Sequence, residues 1–303
     1  MSVNIVHYPV MKDEVLESFP VFDTGAECSM IDCTLGEGGH TEMLLDRYDN
    51  LTVTGLDRDS EILSKACRRL ERFDSRFMPV NTWFDDYLKN HELGTVDFIL
   101  FDLGISTFHY QESGRGFSFL RDEVLDMRLC AEGAVSAYDV VNSYSERDLA
   151  DTIFNFGEER YSRRIAHAIV EARKARPVRT TKELENIIFN AVPVSYRHGR
   201  ISPATRTFQA IRIEVNKELD RIGPALDAAI GCLRPGGRIA VITFHSLEDR
   251  IAKWTFRKHV SQAHPDIRLI NKKPIEPTAD ETRINPPSRS AKLRVVEKME
   301  LDG

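Results

Sequence analysis

Three aspartates and a cluster of glycines carry the first chemical signal in this chain. The stretch Asp32-Cys33-Thr34-Leu35-Gly36-Glu37-Gly38-Gly39-His40-Thr41 follows an apolar run and leads into Met43-Leu44-Leu45. That order predicts a strand, a tight turn and a helix start. Glycine lets a backbone approach a ligand closely, and the first turn of a helix offers N–H groups that its own carbonyls do not use. Gly55-Leu56-Asp57-Arg58-Asp59 closes the next apolar run, Leu51-Thr52-Val53-Thr54. An acid about 20 positions beyond a glycine turn, at the tip of a second strand, can accept hydrogen bonds from ribose hydroxyls. The two signals predict a nucleoside cofactor. The bland alternative is a glycine-rich turn that binds nothing.

The glycine spacing separates the nucleosides. A dinucleotide fingerprint would place glycines at 36, 38 and 41, but position 41 is Thr and the third glycine is Gly39. That fingerprint serves a pyrophosphate lying over the helix start. A ligand without phosphates, such as S-adenosylmethionine, fits this turn better. The third acid, Asp102, ends the run Val96-Asp97-Phe98-Ile99-Leu100-Phe101 and opens Asp102-Leu103-Gly104-Ile105-Ser106. In methyl transfer the acceptor attacks in line, so positioning supplies much of the catalysis. An amine conjugated to a ring is a poor nucleophile, and a carboxylate accepting its N–H bond would help it. Enzymes that methylate base amines often carry Asn/Asp-Pro-Pro-Tyr/Phe at this place. This chain keeps the Asp and lacks the Pro-Pro. Asp102 is the candidate for that role or for holding the cofactor, with turn capping as its structural use.

Positioning these residues requires alternating elements. Short apolar runs predict strands over 30–35, 51–56, 77–80 and 96–102, with a helix over 62–73. Such alternation implies a doubly wound α/β sheet with ligands at the carboxyl ends of its strands, where Asp32, Asp57 and Asp102 fall. From about 113 to 202 strand-like runs give way to amphipathic helical sequence at 149–154, 165–172 and 184–191, with Pro177 and Pro193 as boundaries. A helix over 204–219 and a second ending at Leu233-Arg234-Pro235-Gly236-Gly237 precede a strand over 238–244, and Val295-Val296 supplies a last one. The expected organisation is a sheet domain in two parts, 1–112 and 204–303, interrupted by an all-helical substrate-recognition domain over 113–203. The proline-containing polar stretch 272–289 reads as a loop.

Composition bounds the rest. The 303 residues are 42% hydrophobic and include five cysteines. No Cys-x-x-Cys pair occurs, which argues against a disulfide framework and a structural zinc site. Nine histidines without ligand spacing predict no metal site. No apolar run approaches the roughly 20 residues of a membrane span, and the first residues lack the pattern of a signal peptide, so a cytoplasmic protein without a membrane partner is expected. The net charge is −6, yet basic residues cluster at 160–179, again at Arg197, His198, Arg200, Arg206 and Arg212, and again from Lys272 to Arg294. Each cluster alone reads as a solvated face. Three in an acidic chain favour a polyanionic substrate.

Further motifs carry a resemblance along essentially the whole chain. They are His7-Tyr8-Pro9-Val10-Met11, the turn at 36–40, Asp102-Leu103-Gly104-Ile105-Ser106, Gly114-Arg115-Gly116-Phe117-Ser118-Phe119 and Asp126-Met127-Arg128. Phe208-Gln209-Ala210-Ile211-Arg212-Ile213-Glu214-Val215-Asn216, Phe244-His245-Ser246-Leu247-Glu248-Asp249-Arg250 and Ser288-Arg289-Ser290-Ala291-Lys292-Leu293-Arg294 follow in order. The chain thereby resembles the ribosomal RNA small subunit methyltransferase H family, the 16S rRNA cytosine-N4 methyltransferases. The resemblance implies a class I S-adenosylmethionine-dependent methyltransferase, Rossmann-like, with the helical insertion. It implies transfer to the N4 amine of a decoding-centre (P-site) cytidine, with the assembled small (30S) subunit as partner and no DNA. The oligomeric state stays open, a homodimer included.

Carried over by position, cofactor contacts fall on Gly38, Gly39, His40, Asp57, Phe84, Asp102 and His109. Phe84 suits the adenine. Where the family usually reads Ser-Ser-Pro-Gln-Leu-Asp, this chain has Ser106-Thr107-Phe108-His109-Tyr110-Gln111, so His109 stands at the usual Gln position. Its aromatic neighbours could instead stack on a splayed base. Arg115 and Arg212 suit RNA phosphates, with internal ion pairs as the competing use. Ser246-Leu247-Glu248-Asp249 has the layout of a capping box, His245 suits either substrate or packing, and His40 either the cofactor or the turn backbone. A DNA or protein methyltransferase and a non-catalytic RNA-binding assembly factor are the alternatives. A nicotinamide oxidoreductase is disfavoured by Thr41 and by the lack of a hydride-transfer dyad.

Overall fold

The computed structural model describes residues 8–19, 26–130, 135–199, 201–263 and 265–300; the N-terminal start with His7, and Arg200, lie outside them. The chain divides into two compact units, one of 1–105 with 219–303 and the other of 106–218.

The first unit is built on seven strands: β1 Cys28–Asp32, β2 Leu51–Asp57, β3 Phe77–Asn81, β4 Val96–Asp102, β5 Leu233–Thr243, β6 Ile267–Leu269 and β7 Lys292–Lys298. Their order across the sheet is β3-β2-β1-β4-β5-β7-β6. The first five run parallel, whereas β7 lies antiparallel to both β5 and β6. In β4 every residue from Val96 to Phe101 is buried. Phe98 and Leu100 face one apolar core with Leu44, Leu45 and Val53, while Ile99 and Phe101 face another with Leu226, Ile230 and Phe256. Two covered faces explain why β4 is near-continuously apolar, without the alternation that β2 shows. The direction of winding reverses between β1 and β4, which opens a crevice at their carboxyl ends.

The second unit is helical apart from a single bridge between Val124 and Thr180 among its described residues. Its main helices are Ala137–Ser143, Glu146–Gly157, Ser162–Ala175, Thr181–Ala191 and Pro203–Asn216. Ser136, Ser145, Thr180 and Ser202 cap four of them by accepting a backbone N–H of the first turn. The unit runs over 106–218 against the expected 113–203, and at its C-terminal end helix Pro203–Asn216 packs within it. At Gly157 a Cβ would meet the Arg206 carbonyl oxygen at 2.5 Å, so glycine sets how closely those two helices approach. The stretch 272–289 is likewise more ordered than a loop. It holds helix Ala279–Ile284, capped by Thr278, and then the short turn of 3₁₀ helix Pro286–Ser290.

Candidate active site

The glycine turn is held between the ends of β2 and β4. Cys33 N donates to Leu100 O at 2.9 Å and Leu35 N to Leu56 O at 2.9 Å, which carries the chain past β1 before it bends. Gly36 and Gly38 bend it with φ of 54° and 80°, a region that side chains with a Cβ rarely enter. A Cβ at Gly38 would also meet Leu70 Cδ1 at 2.9 Å. Helix Gly39–Arg47 starts there with no side-chain cap, leaving its first N–H groups facing the crevice. Below the turn, Asp32 is buried, accepting from Thr41 Oγ1 at 2.7 Å and from Thr34 N at 3.2 Å. Thr34 Oγ1 accepts in turn from Asp102 N at 2.6 Å.

Asp57 is aimed at the turn. One carboxylate oxygen accepts from Gly36 N at 3.0 Å and the other from Asp59 N at 2.8 Å. Each oxygen keeps a further lone pair, so a ribose hydroxyl can be added without breaking the tie. Asp102 differs. About 24% of its side chain reaches solvent, yet Oδ1 is shut away and has no hydrogen-bond partner among the described residues. Its Oδ2 lies 3.6 Å from His40 Nδ1. His40 Nε2 sits 2.8 Å from Val10 O, and a carbonyl only accepts, so Nε2 carries a proton.

Burial sets the electrostatics. It pushes Asp32 up to about 6 and Asp57 up to about 7, against the opposing pull of their N–H and O–H donors. Asp102 is raised well above the ordinary range, first by burial and then by the charges of Asp32 and Glu248. Three crowded acids repel phosphates and attract a cation. S-adenosylmethionine carries one net positive charge from its sulfonium and amino groups against one carboxylate, so this chain's residues fit it where they oppose a dinucleotide.

Phe84 opens helix Phe84–Lys89 after β3 and sets its ring edge-on to Phe101 at 5.7 Å, half-buried. Arg221 braces the segment, its guanidinium 4.1 Å from the Trp83 ring and bonded to both Asp85 oxygens at 2.8 Å. At the end of β5, Glu248 is buried and accepts from Phe244 N at 2.8 Å, while His245 Nδ1 accepts from Glu248 N at 3.3 Å. The helix cap is therefore His245, one residue before the expected Ser246, because the imidazole fills the acceptor role. The other ring nitrogen, Nε2, lies 3.1 Å from Glu248 Oε1.

Gly38, Gly39, His40, Asp57, Phe84 and Asp102 all belong to the sheet unit, whereas His109, Arg115 and Arg212 belong to the helical one. His109 is buried against Phe108 and Phe117, with ring centroids at 5.5 and 5.2 Å. Arg115 Nη1 donates to Arg128 O at 3.0 Å. Arg212 is buried and grips both Glu218 oxygens at 2.9 Å and the Tyr110 hydroxyl at 2.8 Å. Its guanidinium is engaged in an internal ion pair, the competing use that the sequence offered beside a phosphate contact. Asn216 from the same motif pins the neighbouring loop, donating to Met127 O at 2.8 Å and accepting from Leu129 N at 2.9 Å. The sequence did not flag the Thr34 and Thr41 bonds that seat Asp102 and Asp32; polar residues directly beside a glycine turn are the signal for such bonds.

A doubly wound sheet with an antiparallel seventh strand, a glycine turn after β1 and acids at the ends of β1, β2 and β4 define a class I methyltransferase whose methyl donor is S-adenosylmethionine. The model of the MraW methylase family matches residues 4–299, and the chain belongs to that family. It is 48% identical over 310 residues to "Ribosomal RNA small subunit methyltransferase H" of Treponema denticola, covering 97% of this chain and 98% of the relative. It is 46% identical over 301 residues to the protein of the same name from Borreliella burgdorferi, covering 99% and 100%.

Proposed function

We propose that this chain transfers a methyl group to the N4 amine of a decoding-centre cytidine in 16S rRNA, acting on the assembled small ribosomal subunit. The names of its relatives support an rRNA substrate, and one observation carries the choice of an amine: the Asp102 carboxyl at the end of β4, part-exposed and with hydrogen-bonding capacity left over. When bound, S-adenosylmethionine supplies an electrophilic methyl on a sulfonium. The turn at 36–39 and Asp57 fix the nucleoside, Phe84 offers its ring to the adenine, and the acids hold the cationic end. The Asp102 carboxyl accepts an N–H of the substrate amine, keeps the amine's lone pair aimed at the methyl carbon and stabilises the positive charge that grows on nitrogen. His40 Nδ1 stands 3.6 Å from Asp102 Oδ2.

The helical unit supports a polyanionic substrate. Arg160 is exposed and lies 4.7 Å from the Tyr161 ring and 4.9 Å from the Tyr196 ring. Arg163, Arg164 and Arg206 are exposed as well. Not every arginine in the cluster is offered outward, since Arg173 is tied to Val141 O and Tyr144 O. Labelled S-adenosylmethionine offered with small subunits, naked 16S rRNA and duplex DNA tests the reading. N4-methylcytidine is expected from the subunit alone. Label in DNA or protein, or none anywhere despite cofactor binding, would sink it.

A further inference from the structure

Helix Ser246–Val260 of the sheet unit carries a surface that the cofactor site does not use. Its inner side is apolar, with Leu247, Ala252 and Phe256 buried. On its outer side Trp254 is 59% exposed, an unusual position for so large an aromatic. Arg250 lies four residues before it and Arg257 three after, spacings that set all three on one helix face. Arg250, Arg257 and Lys258 are exposed, and Lys253 is half-exposed. The Arg257 guanidinium stands 5.4 Å from the indole centre and Lys253 Nζ stands 5.9 Å from it.

The acids near this face are largely engaged. Asp249 is bonded through both oxygens to Arg294, at 2.7 and 3.1 Å. Asp227 receives His259 at 2.8 Å and Lys258 at 3.4 Å. Lys253 and Arg257 thus flank one exposed indole, with Arg250 and Lys258 one helical turn to either side and Lys258 shared with Asp227, on a chain of net charge −6. An apolar protein partner would find a single ring in a cationic rim. A single-stranded nucleic acid matches both parts, since its bases stack on aromatic faces and its phosphates seek cations.

We propose that this face is a second RNA contact, at which Trp254 stacks on an unpaired base of the substrate rRNA while Arg250, Lys253, Arg257 and Lys258 hold the flanking phosphates. The assignment rests on the rRNA reading of the active site and deepens it by naming where the substrate is held away from the reacting base. The surface contributes to holding the substrate and to no chemical step.

The test pairs transfer kinetics with a binding signal that needs no turnover. In Trp254→Ala, KM for the small subunit should rise roughly tenfold, as loss of one stacked base predicts, with kcat and cofactor affinity unchanged. Trp254→Phe should recover most of the loss. Arg257→Gln should weaken binding and flatten its salt dependence by about one phosphate contact. Indole fluorescence of the wild type, which holds two tryptophans, should be quenched by unpaired 16S rRNA segments, and that quenching should vanish in Trp254→Phe. Unchanged KM in Trp254→Ala, or quenching that survives in Trp254→Phe, overturns the proposal. So does quenching by an acidic peptide but not by RNA. If wild-type protein fails to methylate subunits while the Trp254-dependent quenching remains, the active-site reading fails and this surface stands.

Discussion

At the scale of single residues, proton occupancy governs both cofactor binding and stability. Asp32 and Asp57 hold protons in the folded chain up to about 6 and about 7, against an ordinary 3.8. Between those values the folded state binds more protons than the unfolded one, so stability without cofactor falls as pH rises from roughly 4 to 7 and then levels off. A cationic ligand favours the ionised acids. S-adenosylmethionine affinity should therefore rise across pH 5 to 8, with protons released on binding. Titration calorimetry in buffers of different ionisation enthalpy reads both effects, and affinity independent of pH would remove the acids from the site. Asp57→Ala should weaken cofactor binding strongly, because it removes an acceptor and frees the N–H groups of Gly36 and Asp59. Unchanged affinity by calorimetry would contradict that.

At the scale of elements, glycines set the two critical approaches. Gly38→Ala forces a side chain into a left-handed backbone and against Leu70. The backbone alone costs about 1–2 kcal/mol, and the shift it causes should also lower cofactor affinity. Gly157→Ala drives a methyl into the Arg206 carbonyl. Overpacking of this kind costs about 1–3 kcal/mol, and denaturant melts should register it as loss of the helical unit with cofactor binding by the sheet unit retained. Much of this level was legible in the sequence. β4 announces itself because both of its faces are covered, so Val96 to Phe101 is apolar but for Asp97, whereas β2 shows as alternation, with Leu51 and Val53 buried and Thr52 exposed. β6 spans three residues, too few to show a period. Helix Ala279–Ile284 buries no residue, so no apolar stripe marks it.

At the scale of the whole molecule, sequence order pointed to the candidate site but could not say how each charge is spent. Asp57 and Asp102 were legible because strand ends and glycine turns are local. Arg212 was not, since its partner Glu218 lies beyond Lys217, whose left-handed backbone at φ 51° turns the chain back toward it. Trp254 was overlooked because an aromatic in an amphipathic helix reads as core until its exposure is known. The basic segments needed the same sorting, with Arg173 bracing helices and Arg160 facing solvent.

The central claim is that Asp102 receives an exocyclic amine of cytidine. Nucleoside mass spectrometry of small subunits treated with wild-type protein and with Asp102→Asn tests it most directly. The account predicts N4-methylcytidine from the wild type, and a rate lowered by about 10²–10⁴ in the variant with its fold retained. A methyl group on the base carbon or the ribose, or N4-methylcytidine formed at an undiminished rate by Asp102→Asn, would contradict it.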